Sequence, residues 1–273
     1  MPVPAQNQQY ENFIIRYKQN THGGFDYESD ETFQIVNDLF GILYIPMKEV
    51  PELELSSYSY SSIPRCYTYM DTGALSTSGV TRLHNHPYLK LQGKGTLVAV
   101  IDSGIDYLHP AFHNGVQSKI FSIWDQTLEG GADGRIPFGR EFGRQQIEQA
   151  LASENPWEIV PSSDTNGHGT RSAATAAGYR IEKDNFCGAA PEAEIVIVKL
   201  KQAKNYLRDF YLLPRDIDIF QEDDIMLAIS YVLFIAQEQQ MPLSICIGLG
   251  TSMGAHQGEG PLNEYINSIA AFT

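Results

Sequence analysis

"GTLVAVIDSG", Gly95 to Gly104, sets five apolar residues, Leu97 to Ile101, side by side and then stops at Asp-Ser-Gly. A strand with one face in water alternates apolar and polar residues, so an unbroken run implies that both faces are covered. The same kind of run recurs in AEIVIVKLK (193–201) and in LSICIGLG (243–250). Between them lies EDDIMLAISYVLFIAQEQQ (222–240), a helical pattern with acidic residues where a helix dipole favours them and Pro242 just beyond its end. Strand and helix in alternation predict an α/β fold, a parallel sheet with helices on both faces. Functional groups are then expected at the carboxyl ends of the strands.

Upstream the pattern differs. ENFIIRYK (11–18) and ILYIPM (42–47) read as strands, DETFQIVNDLFG (30–41) as a short helix opened by acidic residues, and PRCYTYM (64–70) as a further strand. This predicts a small α+β domain over 1–80. The stretch from Asp71 to Pro87 is rich in Ser, Thr and Gly with little periodicity, and a linker is placed at 81–94. The α/β domain follows over 95–273. The His84-x-His86 pair in this region reads as solvated loop, since two histidines alone are a poor indication of a metal site.

Bulk properties exclude several functions. Across 273 residues the net charge is −14, leaving no excess of cations to replace phosphate counterions, so no nucleic-acid partner is expected. The three cysteines, Cys66, Cys187 and Cys246, imply no disulfide framework, and Cys246, inside LSICI, reads as a buried small hydrophobe. No apolar stretch is long enough to predict a membrane span. MPVPAQNQQYENF has neither a basic nor an apolar region of the secretion-signal kind, which predicts cytoplasmic synthesis.

Two motifs sit where such a fold places chemistry. In VAVIDSGIDYLHP, Asp102 stands directly at a buried strand end, where a carboxylate is costly unless a charge or a donor meets it. Taken alone it reads equally as a turn residue. In SSDTNGHGTRSAATAAG, His168 opens an Ala-rich run suited to a helix packed closely on a sheet. The positive end of a helix dipole disfavours imidazolium, and a neutral imidazole is what a general base requires. By itself, a histidine at a loop end is as readily structural.

Aspartate first and histidine about 66 residues later, each in its own Gly-flanked motif, is the order found in subtilisins. Over residues 95–273 the sequence resembles a subtilase. DSGIDYLHP resembles the family's aspartate motif, HGT its histidine motif, GAAPEAEIVIVK the approach to the next strand, and LSICIGLG the strand that pairs with substrate. The resemblance implies a serine endopeptidase acting on protein or peptide substrates. Asp102 would orient His168, His168 would relay the proton, and Gly248, Leu249 and Gly250 would lend backbone groups to an extended peptide. IDYLHPAF with KIFSIWDQT, and later YLRDFYLLPRDIDIFQEDDIMLAI, resemble the Csp-type subtilases of clostridia, in which related proteases act in spore germination. That resemblance implies that the N-terminal domain is a propeptide-like partner of the cleft and that the protein is spore-associated. No cofactor is implied. Calcium is allowed by the family, but the position where secreted subtilisins often carry a ligand aspartate is Ala111.

GTSM, Gly250 to Met253, copies the phrase that introduces the family's nucleophile, yet Ser252 does not fit it. Three glycines and a proline follow within GAHQGEGP, where the family begins a helix, and no Gly-Asn dipeptide supplies the oxyanion asparagine. The 273 residues are therefore expected to hold the acid and base without a nucleophile and to be inactive alone. The alternative is a non-catalytic pseudoprotease that regulates a protease or a germination partner. A second departure is Arg171, where a second histidine is usual.

Overall fold

The structure is a computed structural model that describes residues 3–17, 32–50, 58–69, 88, 91–130, 135–184, 186–254 and 257–271. His84, His86 and most of the expected linker lie outside them. The chain forms two compact units, one of Met1–Thr68, Gln202–Ser230 and Gly250–Thr273, the other of Tyr69–Lys201 and Tyr231–Leu249.

The second unit is built on a five-stranded sheet in the order Leu243–Ile247, Leu97–Asp102, Glu194–Lys199, Ile120–Asp125, Arg140–Gly143. The first four strands are parallel and only the last runs antiparallel. All three apolar runs are strands of this sheet, and GTLVAVIDSG supplies one of its inner members. Val98, Val100, Ile195 and Ile197 share one packed cluster with Ala173 and Ala177 of the helix His168–Ala177. Leu97, Ala99 and Ile101 alternate to the opposite face and are just as completely buried. On that face the Tyr231 hydroxyl lies 2.8 Å from Ser122 Oγ, and its ring centroid is 5.2 Å from that of Trp124. Cover on both sides is what allows strands without polar alternation, and each fully buried Ile or Val side chain contributes roughly 1.5–3 kcal/mol.

The His168–Ala177 helix is fixed at its far end by a cation. Lys119 is buried, and its Nζ donates to the carbonyls of Ala177 and Pro191 and lies 4.2 Å over the Tyr179 ring. Carbonyls at a helix C-terminus lack intrahelical partners, and a positive charge there is favoured by the dipole.

In the first unit, Phe40–Pro46 is the central strand between Tyr10–Arg16 and Phe33–Ile35, all antiparallel. Over its described residues, 32–41, the expected helix is instead part of a hairpin. Phe33, Gln34 and Ile35 pair with Leu43, Ile42 and Gly41, and Asn37 Oδ1 accepts the Leu39 and Phe40 amides at 2.9 and 2.8 Å. Asn-Asp at 37–38 is turn chemistry, and it outweighed the acidic residues that suggested a helix start. Cys66–Tyr69 is a strand as expected, pairing antiparallel with Phe220–Gln221. Segments far apart in sequence meet here: the buried Lys204 donates to Pro4 O, Tyr10 O and Asn12 Oδ1 at 2.8, 3.0 and 2.6 Å. The first 68 residues thus share a unit with 202–230 and 250–273. The helix Glu222–Gln239 forms where the sequence placed it, and a further helix spans Pro261–Ala270.

Burial, partly opposed by Cys187, pushes the Lys119 ammonium down from 10.5 to about 8. The unfolded lysine keeps its proton up to about 10.4. Between those values the unfolded chain binds more protons, so this group adds stability as pH rises. Compared with Lys119→Met, the wild type is expected to gain stability from pH 8 to pH 10, read as the difference in urea midpoints. Parallel pH profiles for the two proteins would contradict the assignment.

Candidate active site

Asp102 closes its strand opposite Lys199, at the carboxyl crest of the sheet. Its carboxylate is almost fully buried, 1% exposed. Two donors meet it: the Ser103 amide at 2.7 Å from Oδ1, and His168 Nδ1 at 2.7 Å from Oδ1 and 2.9 Å from Oδ2. His168 is the first residue of its helix and is preceded by Gly167 at φ +77°, the left-handed region that suits glycine. The Asn166 side-chain oxygen accepts the His168 amide at 2.8 Å, which fixes the helix start. With Nδ1 committed to the carboxylate, Nε2 becomes the position for accepting a proton.

Glycines make the approach possible. A Cβ on Gly169 would lie 2.2 Å from Gly104 O and 3.2 Å from Asp102 Cβ, so only glycine lets the helix start touch the aspartate turn. A Cβ on Gly248 would meet Asp102 Oδ2 at 2.7 Å, His168 Cε1 at 3.0 Å and Ser172 Oγ at 3.3 Å. The backbone of Gly248 therefore lies directly against the pair.

A ring of residues that sequence reasoning missed surrounds the pair. Ser103 Oγ accepts the Gly169 amide at 3.0 Å and is placed to donate to Asp164 Oδ1 at 2.8 Å or Asn166 Oδ1 at 3.1 Å. Asp164 Oδ2 accepts both the amide and the hydroxyl of Thr170, at 2.8 and 2.6 Å. Burial opposes the Asp164 charge, but donors from Thr170, Ser103 and Gly167 outweigh it and hold the carboxyl below its ordinary value. An aspartate four residues before a helix start was the available signal. Ser172, one turn beyond His168, buries a hydroxyl that has no hydrogen-bond partner among the described residues.

Asp102, His168 and Gly248 are thus brought together. Leu249 is buried and forms with Gly250 a two-residue strand at the edge of a small three-stranded sheet. Ser252 is exposed in irregular chain, and the next helix begins only at Pro261. Cys246 is a core neighbour whose thiol is pushed up by burial and then by the Asp102 charge, opposite to what a reactive thiol needs. Ala111 lies fully inside the apolar cluster, while Arg171 is exposed. Among the described residues no three His, Cys, Asp or Glu side chains are grouped to hold a metal ion, and no helix is long and apolar enough to cross a membrane.

A carboxylate-bound imidazole at the crest of a parallel sheet coincides with a family match: residues 93–211 fit the model of the subtilase family. Over those residues the chain is similar to subtilases. Among curated relatives, the subtilisin-like protease SBT1.4 of Arabidopsis thaliana is 30% identical over 125 residues, 40% of this chain and 16% of that protein. SBT2.1 of the same plant is 27% identical over 127 residues, 39% of this chain and 15% of that protein. The solved structure of the Clostridium perfringens CspB protease superposes with a TM-score of 0.56 and 30% identity, covering 70% of this chain and 36% of that one. The fold is subtilisin-like, and the likeness is of the Csp type. Each match takes in well under half the length of the relative concerned.

Gly248→Ala is expected to displace the Asp102–His168 pair, because the methyl group would sit inside van der Waals contact of the carboxylate and the imidazole. A crystal structure of that variant retaining both Nδ1 to carboxylate contacts would contradict the packing described.

Proposed function

We propose that the chain provides the acid–base half of a subtilisin-type serine endopeptidase acting on proteins or peptides. The observation that carries this reading is the Nδ1 bond from His168 to the buried Asp102 at 2.7 Å, inside a segment similar to subtilases. His168 Nε2 takes the proton of a serine hydroxyl as that oxygen attacks the scissile carbonyl, then returns it to the leaving amine. Asp102 stays ionised, holds the imidazole tautomer and stabilises the imidazolium formed between the two steps. Gly248 to Gly250 pair with the extended substrate, and the edge position of Leu249–Gly250 supports that role.

In this reading none of residues 1–273 is the nucleophile. Ser252 begins no helix, so it lacks the dipole and the aligned amide that would stabilise an oxyanion. Residues 1–80 serve as a propeptide-like partner, and the Csp-type likeness supports a substrate in the spore-germination setting. No cofactor takes part.

Fluorophosphonate labelling of the full reading frame tests the proposal. The wild type should label, and His168→Ala should lower the labelling rate by several orders of magnitude, since losing one triad member costs on the order of a millionfold in turnover. The 273-residue chain should stay unlabelled. Labelling at Ser252 would overturn its exclusion, and a full-length protein that never labels would favour the regulatory, non-catalytic alternative.

A further inference from the structure

We propose that Asp164 is a positioning residue that holds Asp102 and His168 in register by tying the residue after the aspartate to the helix turn that carries the histidine. This deepens the function proposed above and rests on it, because it concerns how the same pair is kept in place.

The two halves of the pair come from separate elements, a strand end and a helix start. Their hydrogen bond tolerates only a few tenths of an ångström before it weakens. Asp164 belongs to neither element, lying in the loop that precedes the helix, and it bonds to the residue that follows the strand and to the helix itself. One oxygen lies 2.8 Å from Ser103 Oγ, next to Asp102, and the other accepts the Thr170 amide and hydroxyl, two residues after His168. Two cross-links close the frame around it. Ser103 Oγ accepts the Gly169 amide at 3.0 Å, and Thr170 Oγ1 accepts the Asp106 amide at 2.9 Å. Thus each hydroxyl touching Asp164 also joins the strand-end loop to the helix. Only an ionised carboxylate offers acceptors to all three donors at once, which agrees with its lowered pKa.

The frame also accounts for Gly169. The helix start must approach close enough for its amide to reach Ser103, and there a side chain would collide with Gly104. Removing Asp164 leaves the Thr170 amide and hydroxyl without their acceptor in a half-buried site. The helix start can then relax away from the aspartate turn while the sheet beneath it stays intact.

The readout is the His168 Nδ1–H proton resonance of the 273-residue chain at neutral pH, assigned by its loss in Asp102→Ala. Asp164→Ala is expected to broaden or abolish that resonance while far-UV circular dichroism still shows the native fold. Asp164→Asn should restore part of it, because the amide oxygen still serves Thr170 while the amide nitrogen must donate to Ser103 Oγ. Ile147→Val, a core change of modest cost, should lower the melting temperature and leave the resonance intact. A folded Asp164→Ala protein with an unchanged resonance overturns the proposal, as does loss of the resonance to the same degree in Ile147→Val. Failure of the peptidase reading is distinguishable from either result. It would show as a full-length protein that does not label although the wild-type resonance and its dependence on Asp164 are present.

Discussion

The structure of this site depends on a charge being buried and then answered. Asp102 lies at the end of an inner strand with almost no contact with water, and an unpaired carboxylate in such a place costs several kcal/mol. It is met by one backbone amide and one imidazole, both from the same crest. The sheet creates the problem by driving LVAVI into the interior, and it also supplies the means of solving it. The parallel arrangement brings the strand end and the helix start to the same edge.

That convergence sets requirements at some distance from the pair. The helix must lie close, so Ala173 and Ala177 face the sheet and glycine stands at 169. It must not slide along its axis, so its C-terminal carbonyl is gripped by Lys119 and its N-terminal turn by Asp164. The two anchors are of opposite charge at opposite ends, each the sign that the macrodipole favours. A buried lysine is costly, as its lowered pKa indicates, and its position beneath the helix end is where that cost is best offset.

Much of this was legible in the sequence. The apolar runs at 97–101 and 195–198 and the helical pattern from Glu222 gave the sheet and the helix, because burial on both faces leaves a local signature, whereas the edge strand Leu243–Ile247 is only partly covered. Asp102 and His168 were legible as a pair through their motifs, though singly each was ambiguous. The 33–46 hairpin was not, since acidic residues before an apolar segment suit a helix start as well as a strand, and the Asn37 turn decides only once its amide partners are known. Lys204 shows a second kind of blindness. A lysine in a loop reads as solvated, yet it meets three acceptors from the first twelve residues, a pairing that no local pattern encodes. Ser103, Asp164 and Thr170 were missed for the same reason, being ordinary turn and cap residues until the two motifs are placed side by side.

The contrast between His168 and Ser252 shows what a short motif means physically. Gly-Thr-Ser-Met carries no chemistry in its letters. A serine hydroxyl becomes a nucleophile when a base lies within reach, and in this kind of site a helix start adds the dipole and the amide that stabilise the oxyanion. His-Gly-Thr has that setting: His168 opens a ten-residue helix, the glycine permits contact with the aspartate turn, and the threonine hydroxyl is anchored. Around Ser252, the described chain runs through bends and positive-φ glycines at 254, 258 and 260 before any helix forms. Glycine at those angles is compatible with turns and adverse to a helix, and the described residues after the phrase form no helix before Pro261. At position 168 motif and backbone agree, because the histidine opens a helix whose next glycine meets the aspartate turn.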